Sequence, residues 1–199
     1  MQQPQPPEGN GPDPLARLQD ALLELTRAIE ANPFDGGAYY RRGVVHGQLT
    51  EPNEAVLDFD QAIALDPSNA DAYFNRGMAY THLQQPLLGI DDYTEAARLN
   101  PTHTDAYNNR AAAYIELRQP EMALADIEQA IQLDPRLPSA FALRAIALTF
   151  LKRDAEARED IARATDLGFD GRTLEYLILR ANQQRLPAPP SASGDSGHA

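Results

Sequence analysis

Residues 70–103, ADAYFNRGMAYTHLQQPLLGIDDYTEAARLNPTH, decide the fold, because most of their pattern returns in the next 34 residues, TDAYNNRAAAYIELRQPEMALADIEQAIQLDPRL at 104–137. The same pattern occupies 36–69 before them and 138–171 after them. The columns that recur in all four segments include Ala38, Ala72, Ala106 and Ala140, then Arg42, Arg76, Arg110 and Arg144, and then Asp58, Asp92, Asp126 and Asp160. A fixed period of about 20 to 50 residues indicates a repeat protein.

The prolines mark where helices are expected to begin and end. They form two columns with the same spacing, Pro33, Pro67, Pro101 and Pro135 in one and Pro52, Pro86 and Pro120 in the other. The apolar residues between them follow the 3.6-residue period of a helix. A proline suits the first turn of a helix and ends the helix before it. Each segment is therefore predicted to form two antiparallel helices, and Asp35, Asn69 and Thr104 are candidate N-caps of the first helices.

Numbered from Gly36 as position 1, the segments place an aromatic residue at position 4, Gly or Ala at 8, a small residue at 20, Ala at 27 and Pro at 32. This pattern resembles the tetratricopeptide repeat family. The resemblance covers 36–69, 70–103, 104–137 and 138–171, and it departs from the pattern at Asp154 and Phe169, where proline is missing. It implies an all-α fold, a right-handed α-solenoid of helix-turn-helix repeats, and a non-catalytic role in protein–protein interaction.

Two further helices are predicted to flank the four repeats as caps. Residues 14–34 align with the second helix of a repeat that lacks its first, and residues 172–186 form a C-terminal capping helix. The tails, 1–13 and 187–199, are rich in Pro, Gly, Gln or Ser, and we expect them to be disordered.

Composition narrows the function further. The chain has no cysteine, which excludes disulfides, cysteine-ligated zinc and thiol catalysis. Its net charge of -12 disfavours partners that carry phosphate, so neither nucleic acid nor an anionic membrane is expected. No apolar run reaches the ~18 residues of a membrane span, and the N-terminus lacks the features of a secretion signal. A cytoplasmic location is therefore expected.

The sequence contains no recognisable catalytic or metal-binding motif. It lacks the nucleophile elbow, the glycine-rich nucleotide motifs and the zinc-protease motif, and its four histidines have no ligand spacing. We expect no cofactor, no metal and no enzymatic activity, with an accessory subunit of an enzyme as a distant alternative. The repeated Arg and Asp at positions 7 and 23 admit two interpretations, a binding ladder or ion pairs between helices, within one repeat or across to the next, and the ion pairs are favoured.

In the resembled family, one face of the first helices lines a concave groove that binds peptides. Here that face carries Tyr40, Arg41, Val44, Asp71, Phe74, Asn75, Met78, His82, Asp105, Asn108, Asn109, Ile115, Glu116, Leu143, Ile146, Phe150 and Tyr176. The alternative is that several of these side chains only contact neighbouring helices. The basic residues with which some family members hold a terminal carboxylate are missing, and Asp71 and Asp105 would repel one. A short neutral or basic internal segment is the expected ligand.

The sequence therefore predicts an adaptor or scaffold whose partner is another protein. A second class of function stays open, a self-assembling scaffold in which one solenoid docks on the next. Leu179 bears on this alternative, because it stands at position 8, where complete repeats have Gly or Ala against their second helix. Since no second helix is predicted to follow, Leu179 is expected to be exposed, or covered either by Leu186 and the tail or by another chain, and self-association through the C-terminal helix is a further expectation.

Overall fold

The computed structural model describes residues 13–185. The predicted disordered tails, 1–13 and 187–199, lie outside this range apart from Asp13, and so does Leu186 at the end of the predicted C-terminal helix.

Residues 13–185 form ten α-helices and no strand, which confirms the all-α, helical-repeat fold class. The helices are α1 (Pro14–Ala31), α2 (Gly36–Gln48), α3 (Pro52–Leu65), α4 (Ala70–His82), α5 (Pro86–Leu99), α6 (Thr104–Glu116), α7 (Pro120–Leu133), α8 (Pro138–Phe150), α9 (Asp154–Asp166) and α10 (Gly171–Gln183). The even-numbered helices from α2 to α8 begin 34 residues apart, whereas α10 begins one residue early, after a turn built on Gly168 at φ +101°.

Side chains cap α2, α4 and α6 at their N-termini, whereas α8 follows Leu137 and has no side-chain cap. The Asp35 carboxylate accepts a hydrogen bond from the Ala38 amide at 2.9 Å, and the Asn69 side chain accepts one from the Ala72 amide at 3.0 Å. At the equivalent place before α6 the acceptor is His103, whose Nδ1 lies 3.3 Å from the Ala106 amide. The expectation that Thr104 caps α6 is wrong, because Thr104 is already the first helical residue.

The chain divides into two compact units, residues 1–109 (unit 1) and 110–199 (unit 2). In unit 1, α2 packs on α3 and α4 on α5, while α1 lies against α2 and α3 against α4. In unit 2, α8 packs on α9 and also contacts α7 and α10. Small residues dominate the buried positions, as Ala55 and Ala96 do in unit 1 and Ala130 and Ala164 do in unit 2, so the helices approach closely.

In the first two complete repeats, the two helices of a pair approach closely at positions 8 and 24. A Cβ atom on Gly43 would lie 2.7 Å from Cε1 of Phe59, and one on Gly77 would lie 2.8 Å from Cε1 of Tyr93. No real side chain tolerates such a distance, so an aromatic ring at position 24 requires glycine at position 8. Where position 24 is isoleucine, as in the repeat of Ile127, position 8 is alanine.

The repeated arginines and aspartates form ion pairs within each repeat, as the favoured interpretation predicted. Arg42 donates from Nε and Nη2 to the two carboxylate oxygens of Asp58, at 2.8 and 2.7 Å. The same two-pronged geometry recurs at Arg76–Asp92, Arg110–Asp126 and Arg144–Asp160. All four aspartates are buried, so these pairs hold the two helices of a repeat together.

Candidate functional site

A pocket of about 340 Å³ lies in unit 1 between α2 and α4, with α3 at its floor. Its lining consists of Val44, Gly47, Gln48, Thr50, Pro52, Ala55, Phe59, Asn75, Met78, Ala79 and His82. The volume is at the lower end of the range for ligand pockets, roughly 300 to 1,000 Å³. It therefore suits one or two side chains of a peptide rather than a large cofactor.

The repeat pattern explains the walls and the floor. Val44 and Met78 occupy the same position in successive repeats, and this position faces the space between the two first helices. Ala55 and Phe59 form a buried cluster with Ala79, which fixes the floor. Four predicted site residues, Val44, Asn75, Met78 and His82, therefore line one pocket.

Several lining residues were not among the predicted site residues, and three of them, Gly47, Thr50 and Pro52, belong to the end of α2, the turn and the start of α3. Gly47 leaves the mouth of the pocket open, since no atom lies within 4 Å of the place where its Cβ would be. A signal was available: position 12 holds a larger residue in the next three repeats, for example Thr81, and only here is it glycine.

Asn75 contributes an acceptor to the pocket rather than a free amide. Its Nδ2 donates to the backbone carbonyl of Asp71 at 2.7 Å and lies 3.4 Å from the Tyr40 hydroxyl. No hydrogen bond to its Oδ1 is found between residues 13 and 185, so that oxygen can accept from a ligand. A side-chain amide offers one donor group and one acceptor, and the helix backbone already holds the donor of Asn75, so the acceptor remains for a ligand.

Asp71 lies one turn before Asn75 on α4 and is not part of the pocket lining. The side chain of Asp71 is 65% exposed, and its carboxylate lies 3.5 Å from Nε2 of His103. The His103 ring packs on the Phe74 ring, with 4.6 Å between the two centroids. The Phe74 side chain of α4 is therefore already in contact with another side chain of the protein. Burial, and then the negative charge of Asp71, raises the pKa of the Tyr40 hydroxyl, which stays protonated. Asp71 therefore places one exposed carboxylate next to Asn75, which itself lines the pocket.

The remaining predicted residues of unit 1 differ in exposure. Arg41 and Asp105 are exposed and Asn109 is half-buried. Asn108 is buried at 9% exposure and already interacts within the chain. The prediction that Asn108 presents a side chain to a ligand is therefore wrong, because protein groups occupy the space around it.

In unit 2 the structure contradicts the expected exposure of two residues. Ile146 and Phe150 are buried, because α10 lies across α8 and packs Ala181, Leu177 and Ile178 against them. The guanidinium of Arg118 also lies 4.9 Å from the centre of the Phe150 ring. For these two side chains the alternative stated from the sequence holds, since they contact neighbouring helices.

The other predicted residues of unit 2 keep some exposure. Tyr176 is 63% exposed, Glu116 is exposed, and Ile115 and Leu143 are half-buried. Ile115 packs against the cluster of Ile146 and thus serves the core as well.

The described residues contain neither a candidate metal site nor a membrane-spanning helix. Between residues 13 and 185, no three histidine, aspartate or glutamate side chains stand close enough together to hold a metal ion. None of the ten helices in this range combines the length and the apolar character needed to cross a membrane.

Comparison with protein-family models finds three matches. Two models described as tetratricopeptide repeat match residues 70–103 and 104–137, and one described as TPR repeat matches 51–84. A comparison with curated proteins finds no match.

The fold is similar to several solved structures. The crystal structure of MamA is 20% identical with a TM-score of 0.73, and the match covers 81% of this chain and 94% of that one. YrrB, a TPR protein with an unusual peptide-binding site, is 24% identical with a TM-score of 0.70, and the match covers 85% of each chain. PilF of Pseudomonas aeruginosa is 21% identical with a TM-score of 0.73, and the match covers 85% of this chain and 78% of that one.

The three family matches together span residues 51–137, and the helix pairs around them repeat the same ion pairs and the same close-packed small residues. The chain is a tetratricopeptide repeat protein.

Proposed function

We propose that this protein binds other proteins without catalysing a reaction, and that unit 1 takes a short, neutral or basic peptide segment at the pocket between α2 and α4. The family and its fold support the first part, since such repeats generally serve as interaction modules. The observation that carries the second part is the pocket itself, where an apolar cavity, a free acceptor oxygen and an exposed carboxylate adjoin one another.

Each of these groups has a separate task in the proposed complex. An apolar side chain of the peptide enters between Val44 and Met78, and burying a side chain of leucine size contributes about 1.5 to 3 kcal/mol. A backbone N–H of the peptide donates to Oδ1 of Asn75, which adds about 1 kcal/mol. A lysine or arginine beside the anchor residue meets the exposed carboxylate of Asp71. A site of this size gives weak to moderate affinity, with Kd on the order of micromolar to millimolar.

The proposal can be tested with peptides selected from a phage-displayed random library against the full chain. Their affinities are then measured by isothermal titration calorimetry on variants. Gly47→Leu is the informative change, because a Cβ there has no protein atom within 4 Å and the longer leucine side chain should occupy the mouth of the pocket. We expect it to weaken binding by about tenfold or more, which is ~1.4 kcal/mol. Ala125→Leu, which adds a leucine at an exposed position of α7, is the matched control and should leave the affinity unchanged.

A second variant tests the charge preference. Asp71→Lys reverses the charge next to Asn75 and should remove the enrichment of lysine and arginine from the selected peptides. Peptides that bind the wild type, the Gly47→Leu variant and the Asp71→Lys variant equally well would place the binding surface elsewhere.

A further inference from the structure

Helix α1 has the pattern of a second helix, yet between residues 13 and 185 no first helix stands before it. Second helices of the complete repeats carry a small residue at position 20, aspartate at 23, a large apolar residue at 24 and alanine at 27. Helix α1 carries Ala21, Glu24, Leu25 and Ala28 at these places. In a complete repeat these positions face the first helix of the same repeat, as the contact of Asp58 with α2 illustrates.

The burial of α1 shows that this face has space beside it. In α3 the residues at positions 20, 24 and 27 are Ala55, Phe59 and Ala62, and their exposures are 0%, 2% and 1%. Their counterparts in α1 are only half-buried, although α1 packs on α2 through the buried Ile29. One side of α1 is thus buried against α2. The side that packs on a first helix in a complete repeat is only partly buried.

Helix α10 corresponds to the first helix of a repeat, and within the described residues no second helix follows it. Its buried residues, Leu174 and Ala181, match the buried Ala38 and Val45 of α2 in position, so it uses the side that packs on the preceding helices. The side that would face a second helix is exposed, and Leu179 at position 8 is 56% exposed.

We propose that α10 of one molecule packs against α1 of a second copy of this chain, so that the two half repeats make one complete helix pair. The second copy is the occupant that the pattern specifies, because each end supplies the kind of helix that the other lacks. Their charges are also complementary: α10 carries two arginines and one glutamate, and α1 carries two arginines and three acidic residues.

The contact joins two different surfaces, so it is heterologous, and each molecule offers one α10 and one α1. Repeated association closes into a ring where the rotation between copies closes, and otherwise continues as a chain. One helix laid on another makes an interface smaller than the roughly 1,200 to 2,000 Å² of stable complexes, so the association is weak and depends on concentration. The contact does not involve the pocket lined by Val44 and Met78, and it is independent of the proposed peptide binding.

Sedimentation equilibrium of the full chain over a range of concentrations tests the proposal with two blocking variants. Leu179→Glu places a charge on the α10 surface, and Ala21→Arg fills the α1 surface with a residue that favours helix. The wild type should show an average mass that rises with concentration above that of the monomer, and each variant alone should stay monomeric. Leu57→Glu, at a leucine of α3 that is 65% exposed, is the matched control and should associate like the wild type.

An equimolar mixture of the two blocked variants is the decisive measurement. The Ala21→Arg molecule keeps a free α10 and the Leu179→Glu molecule keeps a free α1, so the mixture should form a one-to-one dimer and stop there. Melting followed by circular dichroism checks that each variant is folded, and Ala28→Arg replaces Ala21→Arg if that variant melts early. A monomeric wild type, a mixture that stays monomeric, or an Ala21→Arg variant that still associates would overturn the proposal.

Discussion

Each repeat depends on a charge pair that is largely removed from water. The side chain of Arg76 is 19% exposed and that of Asp92 is 7% exposed, with two hydrogen bonds between them at 2.9 and 2.7 Å. Arg76 also reaches Asp60 of the preceding repeat at 2.6 Å. Burial raises the pKa of Asp92, and the hydrogen bonds and charge of Arg76 oppose that rise. Removing the arginine would leave a buried carboxylate without a counter-charge.

We therefore predict that Arg76→Ala lowers the free energy of unfolding by about 3 kcal/mol, measured by urea denaturation at neutral pH. The matched control is Arg98→Ala, which breaks a two-pronged pair with Glu95 in which the arginine side chain is 64% exposed. This change should cost much less than the loss of Arg76, because water screens the pair. Equal effects of the two substitutions would show that the repeat does not depend on the buried pair.

The same variant makes a prediction about pH. Without Arg76, the folded state favours the protonated form of Asp92, so the pKa of Asp92 in the folded state stays above its value in the unfolded state. When the pKa of an acid is higher in the folded state than in the unfolded state, the free energy of unfolding is reduced at pH values above the folded-state pKa. This reduction disappears as the pH falls through that pKa. The stability difference between Arg76→Ala and the wild type should shrink as the pH falls through the pKa of Asp92 in the folded variant. A difference that is constant with pH would contradict this assignment.

At the scale of a helix pair, size is matched across positions 8 and 24. Gly43→Ala should lower the free energy of unfolding by about 1 to 3 kcal/mol, because the new methyl group meets the Phe59 ring. Adding Phe59→Ile should recover part of this loss, since the repeat of Ile127 combines isoleucine with alanine. Gly47 lies in the same helix but has open space around it. Gly47→Ala should instead raise the free energy of unfolding by about 0.5 to 1 kcal/mol. A double-mutant cycle without coupling between positions 43 and 59 would contradict the size matching.

The turn inside each repeat has a left-handed residue that is never glycine. Thr50, Gln84, Arg118 and Lys152 have φ of 62°, 60°, 60° and 60°. The amides around them close the first helix; for example, Gln84 donates to the Thr81 carbonyl at 3.0 Å and Gln85 to the Tyr80 carbonyl at 2.9 Å. This is the place where helices commonly end in glycine.

Gln84→Gly should therefore raise the melting temperature, with a gain in stability of up to about 1 kcal/mol, because glycine adopts this conformation without a steric penalty. Gln85→Gly is the control, since Gln85 has an ordinary φ of -116° and glycine there only adds freedom to the unfolded chain. The control should not be stabilised, and a gain in both variants would mean that the left-handed conformation is not the cause.

The repeat period predicted the helices and the ion pairs because both depend on residues that recur at the same positions in every repeat. Pro86 and Pro120 begin helices as expected, and Arg76 finds Asp92 at the distance that the antiparallel pair implies. The pocket could not be predicted in the same way, since it depends on Gly47 and on the turn at Thr50, where one repeat departs from the others. Patterns shared by all repeats do not report what a single repeat does differently.

The burial of Ile146 and Phe150 shows a second limit, which belongs to the whole molecule. The pattern assigns position 9 and position 13 to the same face in every first helix, but what covers that face depends on the neighbouring helix. Beside α8 the neighbour is α10, which brings Leu177 and Ile178 onto it. The two ends of the array also differ from its interior, although their sequences follow the same columns.

The terminal helices α1 and α10 should be the parts of their own units that are least protected from hydrogen exchange. Repeat proteins are stabilised by contacts between neighbouring helices, so a helix with a partner on one side only opens more readily. Within unit 1, amides of α1 should exchange with deuterium faster than those of α3, whose equivalent side chains are fully buried. Hydrogen exchange measured by mass spectrometry at low protein concentration tests this, and equal rates in α1 and α3 would contradict it. Raising the concentration adds a second test: if a second copy completes the half repeats, exchange should slow in α1 and α10 and remain the same in α3.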